Sequence, residues 1–443
     1  MLLGILSALL ATRIFVKYFL SLLFYRVLFF LLLPVLLLIL VVRSKNHPEY
    51  RQRLFERLGF IDKKLSKHGI VIHAASVGEV IALKAFIEKL LASQPNTPVT
   101  ITTFTPTGSA QVNKLFGDRV QHCYLPIDSF ICTWLFLSRL QPKAMVFMET
   151  ELWPNLISQC KNRQTKLLLV NGRLSTKSMK SYKKLTWLIS PCLQAFDQIL
   201  TQSQINQNNF LALGGKALNC DLSGNLKFDI SITPSITSKQ AELAAFIEGT
   251  RKLWVVASTH PGDEEIILKA FQPLHQQYPE LLLVIVPRHP ERFADVAQLA
   301  INSGFTTCKR SENTQVNTAT HVWVLDTLGE LMPMCALASI VTMGGSFSTI
   351  GGHNPLEPAL FKKPVIVGAN MSNFTEVMQQ LTDAKGIVQL NGINNEKELV
   401  HAITELLNDS DKQLTLGENA YNVVLQNQGA SDRSLAHLDQ LLQ

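Results

Sequence analysis

Gly344-Gly345-Ser346-Phe347 and, a few residues on, Gly351-Gly352-His353-Asn354-Pro355-Leu356-Glu357-Pro358 form the stretch that decides the fold. They follow the apolar run Ser339-Ile340-Val341-Thr342, so the order is strand, glycine-rich loop and helix start. Glycines let a backbone approach a bulky anion, and free N–H groups at a helix start attract phosphate. The Gly351–Asn354 backbone therefore suits a phosphate, and Glu357 suits the hydroxyls of a ribose. That is the outline of a nucleotide-sugar site, placed late in an α/β chain.

Outward from this stretch, short apolar runs alternate with amphipathic ones, the pattern of βαβ units. Ile70–Ala74, Val99–Thr103, Met145–Met148 and Leu167–Val170 read as strands in the first half. Trp254–Ser258, Leu281–Val286, Val322–Leu325 and Pro364–Val367 do so in the second, after a Pro/Ser/Thr-bearing break at Phe228–Ser238. The expected fold is α/β, with two Rossmann-like parallel-sheet domains at 44–228 and 229–443. The body of the second ends near residue 425, and the last helix is a candidate to cross back. Ligands bind beyond the carboxyl ends of strands in such sheets, so the two domains are expected to face one cleft.

Residues 1–43 read as a membrane anchor. Val27–Val42 holds no charged or strongly polar side chain, and adding Phe19–Tyr25 reaches the length of about 20 residues that a bilayer crossing needs, at the cost of Arg26. No small-residue cleavage site follows, which points to an anchor and not a removed signal peptide. Arg43, Lys45, Arg51, Arg53 and Arg57 follow the run and place the body in the cytoplasm, while Arg13, Lys17 and Arg26 weigh against that orientation. A spanning helix is expected, with an interfacial helix as the alternative. Five basic groups and no acidic one lie in residues 1–48. The formal charge of +7 therefore belongs to the membrane end, leaving 36 basic groups against 34 acidic ones, a balance that does not suggest nucleic acid. The seven cysteines are scattered, never in a C-x-x-C pair, and read as buried thiols of a reducing compartment.

Five further segments, taken with the opening one, sharpen the reading. His73-Ala74-Ala75-Ser76-Val77-Gly78-Glu79, Met148–Asn155, Asn171–Ser175, Gly224–Asp229, Pro287–Arg292 and Gly351–Pro358 occur together and in order. That series closely resembles the Kdo transferases, which add 3-deoxy-D-manno-octulosonic acid (Kdo) to lipid A precursors in Gram-negative bacteria. The likeness runs from about Tyr25 to the C-terminus. It implies a GT-B fold, CMP-Kdo as donor substrate, lipid IVA as acceptor, inversion at the anomeric carbon, and neither metal nor cofactor. It also implies a bacterial inner-membrane enzyme with its catalytic domains on the cytoplasmic face, in contact with inner-membrane lipids.

Glu79 lies at a strand–loop–helix junction, where a carboxylate can accept a proton from an attacking hydroxyl. Ser76-x-x-Glu79 is equally a capping box. The resemblance places the catalytic base on Glu79, and a helix start would keep it ionised at pH 7. Glu149 follows the Met145–Met148 strand, and Lys227 lies beside the domain break. Each suits a surface or hinge ion pair as well as a catalytic role, and the resemblance assigns both to supporting the transition state. Glu151 flanks this site, while Trp153 and Pro154 shape the turn. On the donor side the resemblance assigns CMP contacts to Pro287 and Arg288, to Leu328, Gly329 and Glu330, and to Asn354, Pro355, Leu356 and Glu357. His353 by itself reads as structural. No G-x-x-x-x-G-K-[ST], no G-x-G-x-x-G after the first strand and no H-E-x-x-H is present. Arg173, Lys177, Lys180, Lys183 and Lys184 accompany Met179, Leu185, Trp187, Leu188 and Ile189, either as a lipid-facing helix or as a solvated helix over the core. Two rival functions remain: a UDP-sugar-dependent GT-B transferase, and a non-catalytic membrane scaffold.

Overall fold

The computed structural model describes residues 2–45, 48–392 and 395–443, with side chains from Leu20 onward except at Arg43, Thr176 and Lys177. The chain forms two compact units, one of residues up to Asp229 together with Gln428–Gln443, the other Ile230–Asn427.

In the first unit β1 (Ile70–His73), β2 (Val99–Thr103), β3 (Gln121–Tyr124), β4 (Ala144–Met148), β5 (Lys166–Gly172), β6 (Gln198–Thr201) and β7 (Cys220–Leu222) form one parallel sheet. Its order is β3-β2-β1-β4-β5-β6-β7. Every residue of β1 and β4 is buried, because helices cover both faces of the sheet and the central strands need apolar side chains on each. Ile72 sits opposite Ile101 on one side and Val146 on the other. One core, with Phe136, Phe147, Phe196 and Phe210, fills one face, and another, with Ile72, Phe86 and Leu90, fills the opposite face.

The C-terminal helix Ala430–Leu442 belongs to this second core through Ala430 and Leu438. Residues 428–443, numbered within the expected 229–443 domain but with the last helix a candidate to cross back, do cross back and pack on the first unit. Asp229 fixes the return by accepting the backbone N–H of Gly429 (2.7 Å) and of Ser431 (2.5 Å). The basic segment forms two helices, Thr176–Lys184 and Thr186–Ala195. Met179, Leu188 and Ile189 are buried in the body, so these three are core residues and not lipid contacts.

The second unit repeats the plan with β8 (Leu253–Thr259), β9 (Leu282–Pro287), β10 (Thr307–Lys309), β11 (Val322–Val324), β12 (Ile340–Met343), β13 (Val365–Val367) and β14 (Val388–Gln389). The order is β10-β11-β9-β8-β12-β13-β14, again all parallel. In each sheet the chain reverses direction of strand addition once, between β1 and β4 and between β8 and β12. The crevice beyond the carboxyl ends at such a switch point is where ligands bind.

The N-terminal helix runs over Leu2–Arg43, and Leu20–Val42 is long and apolar enough, by length and composition, to cross a membrane. Its side near residue 25 is docked on the first unit: Tyr25 donates to Asp128 (2.8 Å), and Phe24 meets Trp187 edge to face at 6.3 Å. All seven cysteines are unpaired, six of them buried.

Candidate active site

In the first unit the switch point is marked by carboxylates. After β1, Ser76 caps the helix Val77–Ala82 by accepting the Glu79 N–H (3.4 Å). In return the Glu79 carboxylate accepts the Ser76 hydroxyl (2.9 Å) and the Ala75 N–H (2.8 Å). The capping arrangement is therefore real, and it also holds the carboxylate in one orientation beside β4. Burial pushes the Glu79 carboxyl up to about 7; Glu149 and Glu151 push the same way by repulsion, against the pull of the Ala75 N–H and Ser76 hydroxyl. The expectation of a carboxylate fully ionised at pH 7 is corrected here, because desolvation outweighs the start of a six-residue helix. A fixed carboxylate poised near neutrality suits a general base.

Glu149, the first residue after β4, has φ 57°, a left-handed conformation uncommon outside glycine. Its N–H is held by the Val170 carbonyl (2.9 Å). Glu151 accepts the Trp153 indole N–H (2.9 Å) and lies 3.6 Å from Nε2 of buried His73, whose Nδ1 is 3.0 Å from Thr102 Oγ1. Lys227 arrives by another route. Asn171, at the end of β5, accepts the Leu226 N–H (2.9 Å), and Asn225 accepts that of Lys227 (3.0 Å). The loop carrying Lys227 is thereby hung on β5, next to β4. Glu79, Glu149 and Lys227 are positioned by the carboxyl ends of three adjacent strands, β1, β4 and β5.

In the second unit Gly344 ends β12 so close to β8 that a Cβ would lie 2.6 Å from the Ser258 carbonyl oxygen. Buried Asp263 ties the two loops by accepting the N–H groups of His260 (2.8 Å) and Gly345 (2.6 Å). His260 Nε2 lies 2.8 Å from His353 Nε2, so one ring donates to the other. Burial lowers His260 to about 4 and His353 to about 3; His289, Arg288 and Arg292 add repulsion at His260, and His260, Arg288 and His289 add it at His353, so both rings are neutral at physiological pH. Arg288 follows β9, its N–H bonded to the Thr259 carbonyl (3.1 Å). Burial raises Glu357 to about 7, with Arg288 and a side-chain hydrogen bond to Asn354 pulling it back. Arg288, Asn354 and Glu357 are thus brought together, joined by the His260–His353 pair.

Two expectations about this loop change. The N–H groups of Gly351 and Gly352 both donate to the Gly345 carbonyl (3.1 and 2.8 Å) and are not offered to a phosphate. The glycine at 352 serves the loop itself: its φ is 77°, and a Cβ would lie 2.1 Å from Met371 Sδ. The expected helix is a single turn, Leu356–Ala359. Leu328 is exposed beyond β11, but the Glu330 carboxylate is buried against Lys239 (3.2 Å) and Arg310 (3.4 Å) and accepts the Thr327 hydroxyl. Its carboxylate thus holds the unit together. His260 and Asp263 carry no motif legible in the sequence, although His260-Pro261-Gly262-Asp263 lies one residue past the Trp254–Ser258 strand, a loop-to-helix signal at a strand's carboxyl end. Among the described residues no group of three or more His, Cys, Asp or Glu side chains could hold a metal ion.

Comparison with known proteins agrees with this anatomy. The family described as 3-deoxy-D-manno-octulosonic-acid transferase (kdotransferase) matches residues 52–230. A 3-deoxy-D-manno-octulosonic acid transferase of Haemophilus influenzae is 40% identical over 93% of this chain and 96% of its own length. One from Rickettsia typhi is 33% identical over 85% of this chain and 80% of its own. Among solved structures, a glycosyltransferase from Rickettsia africae shares the fold at a TM-score of 0.55 and 14% identity, covering 85% of this chain and 99% of that one. Two parallel seven-stranded sheets in this arrangement are the GT-B architecture. On the strength of the full-length relatives, the chain belongs to the 3-deoxy-D-manno-octulosonic acid transferase family.

Proposed function

We propose that the protein is an inverting glycosyltransferase that moves Kdo from CMP-Kdo to lipid IVA and releases CMP, in lipopolysaccharide synthesis. The observation that carries this reading is Glu79, a carboxylate pinned at a switch point with its pKa raised to about 7. In the proposed step an acceptor hydroxyl gives its proton to Glu79, and its oxygen bonds to the Kdo anomeric carbon. The bond from that carbon to the phosphate oxygen breaks, and the electron pair leaves with CMP. Sugar hydroxyls are weak acids, so orientation and stabilisation of the leaving charge carry most of the barrier reduction.

Each unit has one task in this account. The first holds the lipid acceptor, with Glu149 and Lys227 supporting the transition state. The second holds CMP-Kdo: Arg288 meets the phosphate, Glu357 and Asn354 the ribose, and neutral His260–His353 borders the site without adding charge. No resident metal or cofactor enters the proposal, and Arg288 and Lys227 supply the positive charge. The Leu20–Val42 segment and the basic residues after it support attachment to the inner membrane with the catalytic units on its cytoplasmic side. Competition tests the donor: CMP should inhibit transfer and UDP should not. The reverse preference would replace CMP-Kdo by a UDP-sugar.

A further inference from the structure

The five residues Glu149–Trp153 link β4 to the helix Pro154–Asn162 and carry two of the carboxylates that surround Glu79. Their first residue is fixed by the sheet, through the Glu149 N–H on Val170. Their last, Trp153, is the N-cap of the helix and supplies no side-chain cap, while Pro154 has no N–H to offer. The next two N–H groups, of Asn155 and Leu156, are taken by the Asp128 carboxylate at 3.0 and 2.9 Å. The helix start, and with it the end of the loop, is therefore set by a residue from elsewhere in the chain.

Asp128 is in turn held by the N-terminal helix. It is 1% exposed and accepts the Tyr25 hydroxyl at 2.8 Å. Its backbone carbonyl accepts the Asn155 side-chain amide (2.6 Å), and the other end of that amide accepts Arg26 Nε (3.1 Å). Arg26 also lies over the Phe130 ring at 4.6 Å. Asn155 is fully buried and its bonds to Asp128 are made away from water, where a lost partner costs most, while the Tyr25 and Arg26 bonds are part-buried. Burial also raises the Asp128 carboxyl to about 7; the clamp partners, the Asn155 and Leu156 N–H groups, the Tyr25 hydroxyl and Arg26, pull the other way and keep it from rising further.

We propose that Tyr25 and Arg26, acting through Asp128 and Asn155, are positioning residues for the Glu149–Trp153 loop, which makes the N-terminal helix part of the catalytic apparatus as well as a tether. The inference rests on the reading that Glu79 and Glu149 lie at the reaction centre. Because Glu149 and Glu151 raise the Glu79 pKa, a displaced loop also leaves a signature in the pH profile.

The test uses full-length protein in lipid vesicles: wild type, the double variant Tyr25→Phe/Arg26→Gln, and Arg26→Lys. Rates are measured against pH, membrane partition by flotation, and amide hydrogen exchange on peptides covering 148–158. The double variant should float like wild type and keep its donor KM, but lose about tenfold in kcat, the scale of one or two buried hydrogen bonds. The acid limb of its pH–rate profile should move to lower pH, and exchange should quicken at 150–156 alone. Arg26→Lys should recover part of the rate. Wild-type kcat with wild-type exchange at 150–156 would overturn the proposal, as would faster exchange spread across the whole unit or loss of flotation. If wild type itself transfers no Kdo, the catalytic reading fails, and local exchange at 150–156 still decides the clamp.

Discussion

Replacing Glu79 by Gln should stabilise the first unit at pH 8 while removing turnover. The folded protein holds a proton on Glu79 up to about pH 7, whereas the unfolded chain releases it near its ordinary 4.5. With the folded pKa raised, stability falls as pH rises through that window, and the loss is complete above 7. At about 1.4 kcal/mol per pH unit, the charged carboxylate costs roughly 3 kcal/mol at pH 8. Gln carries no such cost, but only one of its atoms can accept, so matching both the Ala75 N–H and the Ser76 hydroxyl costs about 1 kcal/mol. The variant should be about 2 kcal/mol more stable than wild type at pH 8, and about 1 kcal/mol less stable at pH 4. For a unit of this size the pH 8 difference is a rise in Tm of about 4–8 °C. Thermal denaturation at both pH values, paired with a transfer assay, reads both quantities. Turnover should drop by about 10²–10⁴, the scale of general-base catalysis. A Tm difference that is equal at pH 4 and pH 8 would refute the raised pKa, and near-wild-type turnover would remove Glu79 from the mechanism.

In wild type, kcat/KM should rise with pH through a midpoint near 7, since Glu79 must be deprotonated to accept; Glu149→Gln should lower that midpoint by removing a negative neighbour, as pH–rate profiles would show. Arg288→Ala should raise the donor KM and the CMP inhibition constant about 10- to 100-fold, the loss of a charge-assisted phosphate contact, measured by steady-state kinetics. Leu438→Ala should cost about 2–5 kcal/mol in denaturant titrations, since Leu438 is fully buried in the first unit, and should leave the donor KM unchanged.

The central strands were legible because both faces of each sheet are covered, which forces runs such as Ile-Val-Ile in β1 and Trp-Val-Val-Ala in β8. Five strands were not: β3, β6, β7, β10 and β14. Four of them are sheet edges, where one flank lacks a partner strand, and their side chains are in part exposed. Sequences such as Gln-His-Cys-Tyr and Thr-Cys-Lys then carry no apolar run to recognise. At the site, the Ser76-x-x-Glu79 spacing gave the local hydrogen bonds correctly but not the ionisation. That depends on burial and on Glu149 and Glu151, some 70 residues away in sequence. The glycine-rich stretch revealed a tight loop. What its N–H groups bind was hidden, because their acceptor is the loop's own Gly345 carbonyl. The return of the last helix rests on Asp229 meeting Gly429 and Ser431, a contact that no local pattern announces.

Mass spectrometry of lipid IVA incubated with the purified protein and freshly generated CMP-Kdo tests the central claim most directly. The account predicts a lipid heavier by whole Kdo units, formed by wild type and not by Glu79→Gln. Unchanged lipid, with an active control enzyme alongside, would contradict it.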